Sequence, residues 1–159
     1  MKKKFLLFLV VLLLLFTVPV FAERSGSIVG TFGSGFSSFF EDDEANTLTS
    51  IAFDLELISD LGISVLFGNK FNFRIGDGIN NIPYFGFGYR FMAEIWSFGL
   101  SIICVPLEFA NDALIGMKIS GSYWLTRSLG LTLSFMYGFG VDDDISAINV
   151  RIGGSVRIW

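Results

Sequence analysis

The feature that most restricts this chain is a period of two in its side chains, clearest between Arg127 and Trp159. Leu131, Leu133, Phe135, Tyr137 and Phe139 are large and apolar, whereas Thr132, Ser134, Met136, Gly138 and Gly140 between them are mostly small or polar. After Val141 and the acids Asp142, Asp143 and Asp144 the alternation resumes. Ile148, Val150, Ile152, Val156 and Ile158 then share one face, and Asn149, Arg151, Gly153, Ser155 and Arg157 the other. Successive side chains of a strand point to opposite faces, so this pattern is that of two strands across one acidic turn. The apolar face is unusually aromatic, which is what a barrel turned inside out in a membrane requires.

The same pattern divides the chain after residue 22 into eight runs, at about 26–36, 47–58, 62–73, 82–91, 95–105, 113–125, 129–140 and 146–159. Most have the ten or so residues that a tilted strand needs to cross hydrocarbon. No stretch of this part shows a helical period. The expected fold is all-β, an eight-stranded antiparallel up-and-down transmembrane β-barrel, with a cleaved signal peptide over residues 1–22 and the barrel over residues 23–159. The signal reading rests on Lys2, Lys3 and Lys4 before the apolar run Phe5 to Phe16, and on Val20 and Ala22 before a polar switch at Glu23. A retained helix is the competing reading, because Phe5 to Ala22 is about long enough to span a bilayer.

The chain is 52% hydrophobic with a mean hydropathy of +0.64, greasier than an ordinary soluble domain. Of its eleven basic residues three precede the apolar run, so the barrel carries eight against fifteen acids, a net of about −7. That balance argues against a nucleic-acid partner. Cys104 is the single cysteine, which rules out an internal disulfide and a thiolate metal cluster.

One face of the runs carries Asp54, Glu56, Lys70, Arg90, Lys118, Arg151 and Arg157 among glycines and serines. Eight strands leave an interior only just wide enough for side chains, so this set is expected to fill it as an interior charge network. Asp54 and Glu56 are the expected partners of Lys70, Lys118 and Arg151, while Arg90 and Arg157 are expected near the rim, reaching water. The alternative is a soluble lipocalin-like barrel with this face in water. Short links are expected at 59–61, 92–94 and 126–128, and longer ones at 37–46, 74–81, 106–112 and 141–145. The longer links hold ten of the fifteen acids, including the expected acidic outer loops Glu41, Asp42, Asp43 and Glu44, and Asp142, Asp143 and Asp144. Long links face outward and short turns face the periplasm in outer-membrane barrels.

Catalytic chemistry has little to work with. The chain has no histidine, which excludes Ser-His and Asp-His arrangements. Asp54 and Glu56 point the same way and form a carboxylate pair in principle, but partnership with interior cations accounts for them. The two acidic runs lack calcium-loop spacing, Gly86, Phe87 and Gly88 precede no helix, and Pro83 and Pro106 sit at tolerable strand-edge positions. No cofactor and no metal is assigned.

With a signal, eight strands, alternating link lengths and the terminal aromatic Trp159, the chain resembles the small bacterial outer-membrane barrels of the OmpX type and the OmpA membrane domain, more distantly OmpW-like proteins. Its glycine- and phenylalanine-rich style is also similar to that of spirochaete outer-membrane proteins. The resemblance implies export to the outer membrane, lipid and the barrel-assembly machinery as partners, and Trp159 as the assembly signal. In that family apolar residues stand at every second position before the aromatic, whereas here Arg157 and Ser155 occupy those places. The implied function is non-enzymatic, structural or in surface interaction through acidic extracellular loops with an unidentified partner. A narrow channel or carrier for a small apolar ligand, OmpW-like, and a soluble periplasmic binding barrel are the alternatives.

Overall fold

The computed structural model describes residues 26–41, 44–74, 78–106, 113–140 and 146–158. The signal segment, Asp42, Asp43, Asp142, Asp143, Asp144 and Trp159 lie outside them. Eight strands follow in order: β1 (Ser27–Glu41), β2 (Glu44–Ile58), β3 (Ile63–Arg74), β4 (Gly78–Met92), β5 (Trp96–Pro106), β6 (Ala113–Trp124), β7 (Leu129–Gly140) and β8 (Ser146–Ile158). Each pairs antiparallel with the next, and β1 pairs with β8, so the sheet closes into a barrel. Closure leaves no long open edge, the condition under which a sheet can sit in hydrocarbon.

Parity decides which way each side chain points. Phe53, Phe67, Phe87, Phe98, Phe135 and Val150 are exposed on the outer face, and Ile119 is half-buried there. Their inward neighbours, such as Asp54, Lys118, Ser134 and Arg151, are buried. The first strand, glycine-rich and weakly patterned, takes the phase that buries Val29, Gly33 and Ser37 and exposes Phe32 and Phe36. At the β1–β8 closure Gly35 lies opposite Arg151 and Gly33 opposite Gly153. A Cβ on Gly35 would come within 1.9 Å of the Val150 carbonyl oxygen, so the closing strands approach as nearly as they do only because that position has no side chain. Gly62 has φ of 84° in the β2–β3 turn, where its N–H donates to the Ser59 carbonyl.

Two links differ from the sequence reading. β1 and β2 stay paired out to Glu41 opposite Glu44, and β4 starts at Gly78, opposite Arg74. The expected links 37–46 and 74–81 therefore shrink to residues 42–43 and 75–77, and Glu41 and Glu44 are strand residues rather than loop residues. The reason is physical. The apolar alternation used to mark strand ends fades after Phe36, but backbone pairing continues beyond it, from Ser38 opposite Thr47 to Glu41 opposite Glu44. Link length thus separates the two ends of the barrel less than expected. The end bearing residues 42–43, 75–77, 107–112 and 141–145 is called the loop end here, and the other the terminus end.

One ladder stops early. β4 and β5 pair from Met92 opposite Ser97 up to Phe85 opposite Cys104, although β4 runs on to Gly78. The Arg90 N–H donates to Gly62 on the β3 side and the Ala93 N–H to Trp96 on the β5 side, so odd-numbered β4 residues direct their N–H toward β5. After Phe85 the next such residue is Pro83, and the register carries it opposite Pro106. Neither proline has an N–H to donate, so that exchange of hydrogen bonds cannot form. Pro83 and Pro106, unremarkable singly, together end the ladder.

Candidate functional site

The inward face of β2 sets Asp54 and Glu56 two residues apart, and closure of the barrel brings cations to them across the lumen. Asp54 Oδ2 accepts from Lys118 Nζ of β6 at 2.5 Å and from Arg151 Nη2 of β8 at 2.8 Å. Arg151 Nη1 reaches the other oxygen, Oδ1, at 3.4 Å, and the Tyr84 hydroxyl of β4 also donates to Oδ1. Glu56 belongs to a second cluster. Its Oε2 accepts from Arg90 Nε at 2.8 Å and lies 2.7 Å from Nη2, while Arg90 donates further to Ser97 Oγ at 3.1 Å and Ser120 Oγ at 2.8 Å. Arg90 does lie beside the β2–β3 turn, its N–H donating to the Gly62 carbonyl, but at 2% exposed it is a buried ion-pair partner and does not reach water.

The remaining cations behave differently. Arg157 stacks over the Trp124 ring at 4.4 Å and donates from Nε to the Arg127 carbonyl at the terminus end. It too is buried rather than snorkelling. Lys70 does not join the Asp54 cluster and instead lies over the Phe39 ring, 5.1 Å from its centre. Hydroxyls and amides fill the space between. Ser122, Thr132, Ser155 and Thr31 form a chain of hydrogen bonds, and Asn149 Nδ2 donates to Ser37 Oγ, Ser50 Oγ and the Phe36 carbonyl. Isolated charges in such a place would cost several kcal/mol each, and their pairing is what makes burial tolerable.

Two apolar clusters share the interior with these polar side chains. Val29, Ile58 and Trp124, with Met92, pack together at the terminus end, where Arg157 lies over the Trp124 ring. Leu66, Ile82, Tyr84, Ile103, Val105, Leu114 and Met136 pack together from mid-barrel toward the loop end, against Phe39 and Ala147. The sequence reading did not single these residues out. Their signal was present, because Ile103 and Val105 share the parity of Ser97 and Ser101, and Tyr84 that of Arg90.

The closed eight-stranded barrel has counterparts among solved structures. Neisserial surface protein A matches with a TM-score of 0.60 at 10% identity, covering 84% of this chain and 99% of that one. Ail, the attachment invasion locus protein of Yersinia pestis, solved in complex with the heparin analogue sucrose octasulfate, matches with 0.57 at 13% identity over 85% and 100%. The N-terminal barrel domain of Pseudomonas aeruginosa OprF gives 0.55 at 10% identity over 85% and 98%. This is the fold of the small outer-membrane barrels. No family model and no curated protein sequence matches the chain, so the likeness is one of fold.

In that fold the lumen normally has to be filled by side chains, and the placement of the seven inward charges shows how this barrel does it. Asp54, Lys118, Arg151 and Tyr84 form one cluster, Glu56 and Arg90 another, and Arg157 and Lys70 stand apart toward opposite ends. A reaction would need a group free to exchange a proton or attack a substrate. Asp54 is committed to three donors and Glu56 to an arginine. Among the described residues no group of three or more acids or cysteines is gathered to hold a metal ion.

Proposed function

We propose that this protein is a non-enzymatic integral barrel of the bacterial outer membrane whose interior is a plug and whose working surface is its loop end. The observation that carries the reading is the filled lumen, in which ion pairs reaching from β2 to β4, β6 and β8 share the interior with two apolar clusters. A conduit needs a continuous open path, and side chains paired across an eight-stranded lumen oppose one. Interaction then falls to the surface, where ten of the fifteen acids of the chain lie in or beside the links of the loop end, against Arg74. The partner chemistry this favours is cationic, or anionic bridged by divalent ions. Ail was solved with a polysulfated heparin analogue, and an acidic rim would repel a ligand of that charge. Planar-bilayer recording of the purified protein tests the plug: little steady conductance is expected, and large, stable, ion-selective openings would replace this reading with the channel alternative. Binding of intact cells to cationic and sulfated surfaces, compared before and after Asp142, Asp143 and Asp144 are changed to Asn, tests the acidic rim.

A further inference from the structure

We propose that the apolar cavity at the loop end of the lumen is a binding site for one small monovalent anion, halide-sized, held by Lys70. The inward set contains five cations and two carboxylates. Asp54 is taken by Lys118 and Arg151, and Glu56 by Arg90. Arg157 lies at the far end over Trp124, bonded to the Arg127 carbonyl. Lys70 is left. It is 7% exposed, and among the described residues its ammonium meets the Phe39 ring but no carboxylate and no hydrogen-bond acceptor. A cation–π contact offsets only part of the cost of burying an ion. Phe39 alone does not hold this charge.

Beside Lys70 is a cavity of about 30 Å³, walled by Ile82, Ile103, Leu114, Met136 and Asn149. One water-sized particle needs roughly 10–15 Å³ of such volume, so a halide fits and an organic acid with a tail does not. A second cation stands just behind the wall, since Arg151 Nη2 lies 3.8 Å from Met136 Sδ. Two polar groups line the space: the Lys70 ammonium, and Asn149, whose Nδ2 is spent on Ser37, Ser50 and the Phe36 carbonyl and whose Oδ1 has no donor among the described residues. Water would solvate the ammonium without offsetting its charge. A divalent anion would require more donors than the apolar wall supplies. A monovalent anion offsets the charge, accepts from Nζ and fits the volume.

The test uses the full-length protein refolded in detergent, with sodium chloride or bromide replacing sodium gluconate at constant ionic strength. The melting temperature of the wild type should rise with halide and saturate. Lys70→Met, which removes the charge, and Ile103→Phe, which fills the cavity and keeps the charge, should each lose that rise. Chloride nuclear relaxation supplies a readout that does not depend on melting: folded wild type should broaden the chloride line, and Ile103→Phe should not. A wild type indifferent to halide in both measurements would mean that Lys70 is held neutral, and would overturn the proposal. A halide response that persists in both variants would overturn it too, by placing the effect elsewhere on the protein. Neither readout involves conductance or surface binding, so this site and the plugged-barrel reading fail separately.

Discussion

Replacing Asp54 by Asn is the sharpest perturbation of the interior. The amide keeps the shape and one acceptor oxygen, but it turns the other into a donor and removes the charge that faces both Lys118 and Arg151, each 4% exposed. Breaking a buried ion pair from one side typically costs about 3–5 kcal/mol, because the stranded charge remains. Here two cations are stranded by one change, yet the cost does not double, since Lys118 can shed its proton and the sites are coupled. A loss of about 4 kcal/mol is the expected outcome. Glu56→Gln should cost less, because Arg90 keeps Ser97 and Ser120 as acceptors. The assay is reversible denaturant unfolding in lipid vesicles followed by tryptophan fluorescence. Combining Asp54→Asn with Lys118→Met should recover part of the loss by removing one stranded cation, giving a coupling of at least about 1 kcal/mol in the double-mutant cycle. Stability within about 0.5 kcal/mol of wild type for Asp54→Asn, or strict additivity in the cycle, would refute the argument that paired charge makes the filled lumen possible.

Three further outcomes follow from the geometry. Phe87→Arg on the lipid face should destabilise by about 2–4 kcal/mol if it lies at mid-bilayer, and an insensitive barrel in vesicle unfolding would contradict the outward phase of β4. Tags inserted at Asp43, Asp77 or Asp143 should be labelled on intact cells, whereas tags at Asp60 or Ser128 should be shielded, and the opposite pattern would invert the orientation. Pro83→Val together with Pro106→Val restores two N–H donors where the β4–β5 ladder stops. Slow amide exchange should appear at both positions, with a gain of about 0.5–1.5 kcal/mol per new hydrogen bond, and unchanged fast exchange there would mean that something other than the missing donors ends the ladder.

Much of this protein was legible in its sequence because the decisive property is local. Which face a residue takes depends only on the pleat, so the alternation around Phe135 and Val150 was enough to place Asp54, Glu56, Lys70, Arg90, Lys118, Arg151 and Arg157 together on the inner side of eight strands. Strand ends were less legible, because the apolar signal at β1 and β2 stops before the pairing of Glu41 with Glu44 does. Partner choice was read only in part: Asp54 does pair with Lys118 and Arg151, but Glu56 pairs with Arg90, and Lys70 with neither acid. Lys118 and Arg151 stand 64 and 97 residues from Asp54 and meet it only because closure and strand stagger bring β6 and β8 across the lumen to β2. The same stagger leaves Lys70 beside a cavity instead of a carboxylate, and sets Pro83 opposite Pro106, a meeting that depends on the register between two strands and on nothing within either. Inside and outside follow from the period of a single strand, whereas who meets whom follows from how eight strands tilt and close.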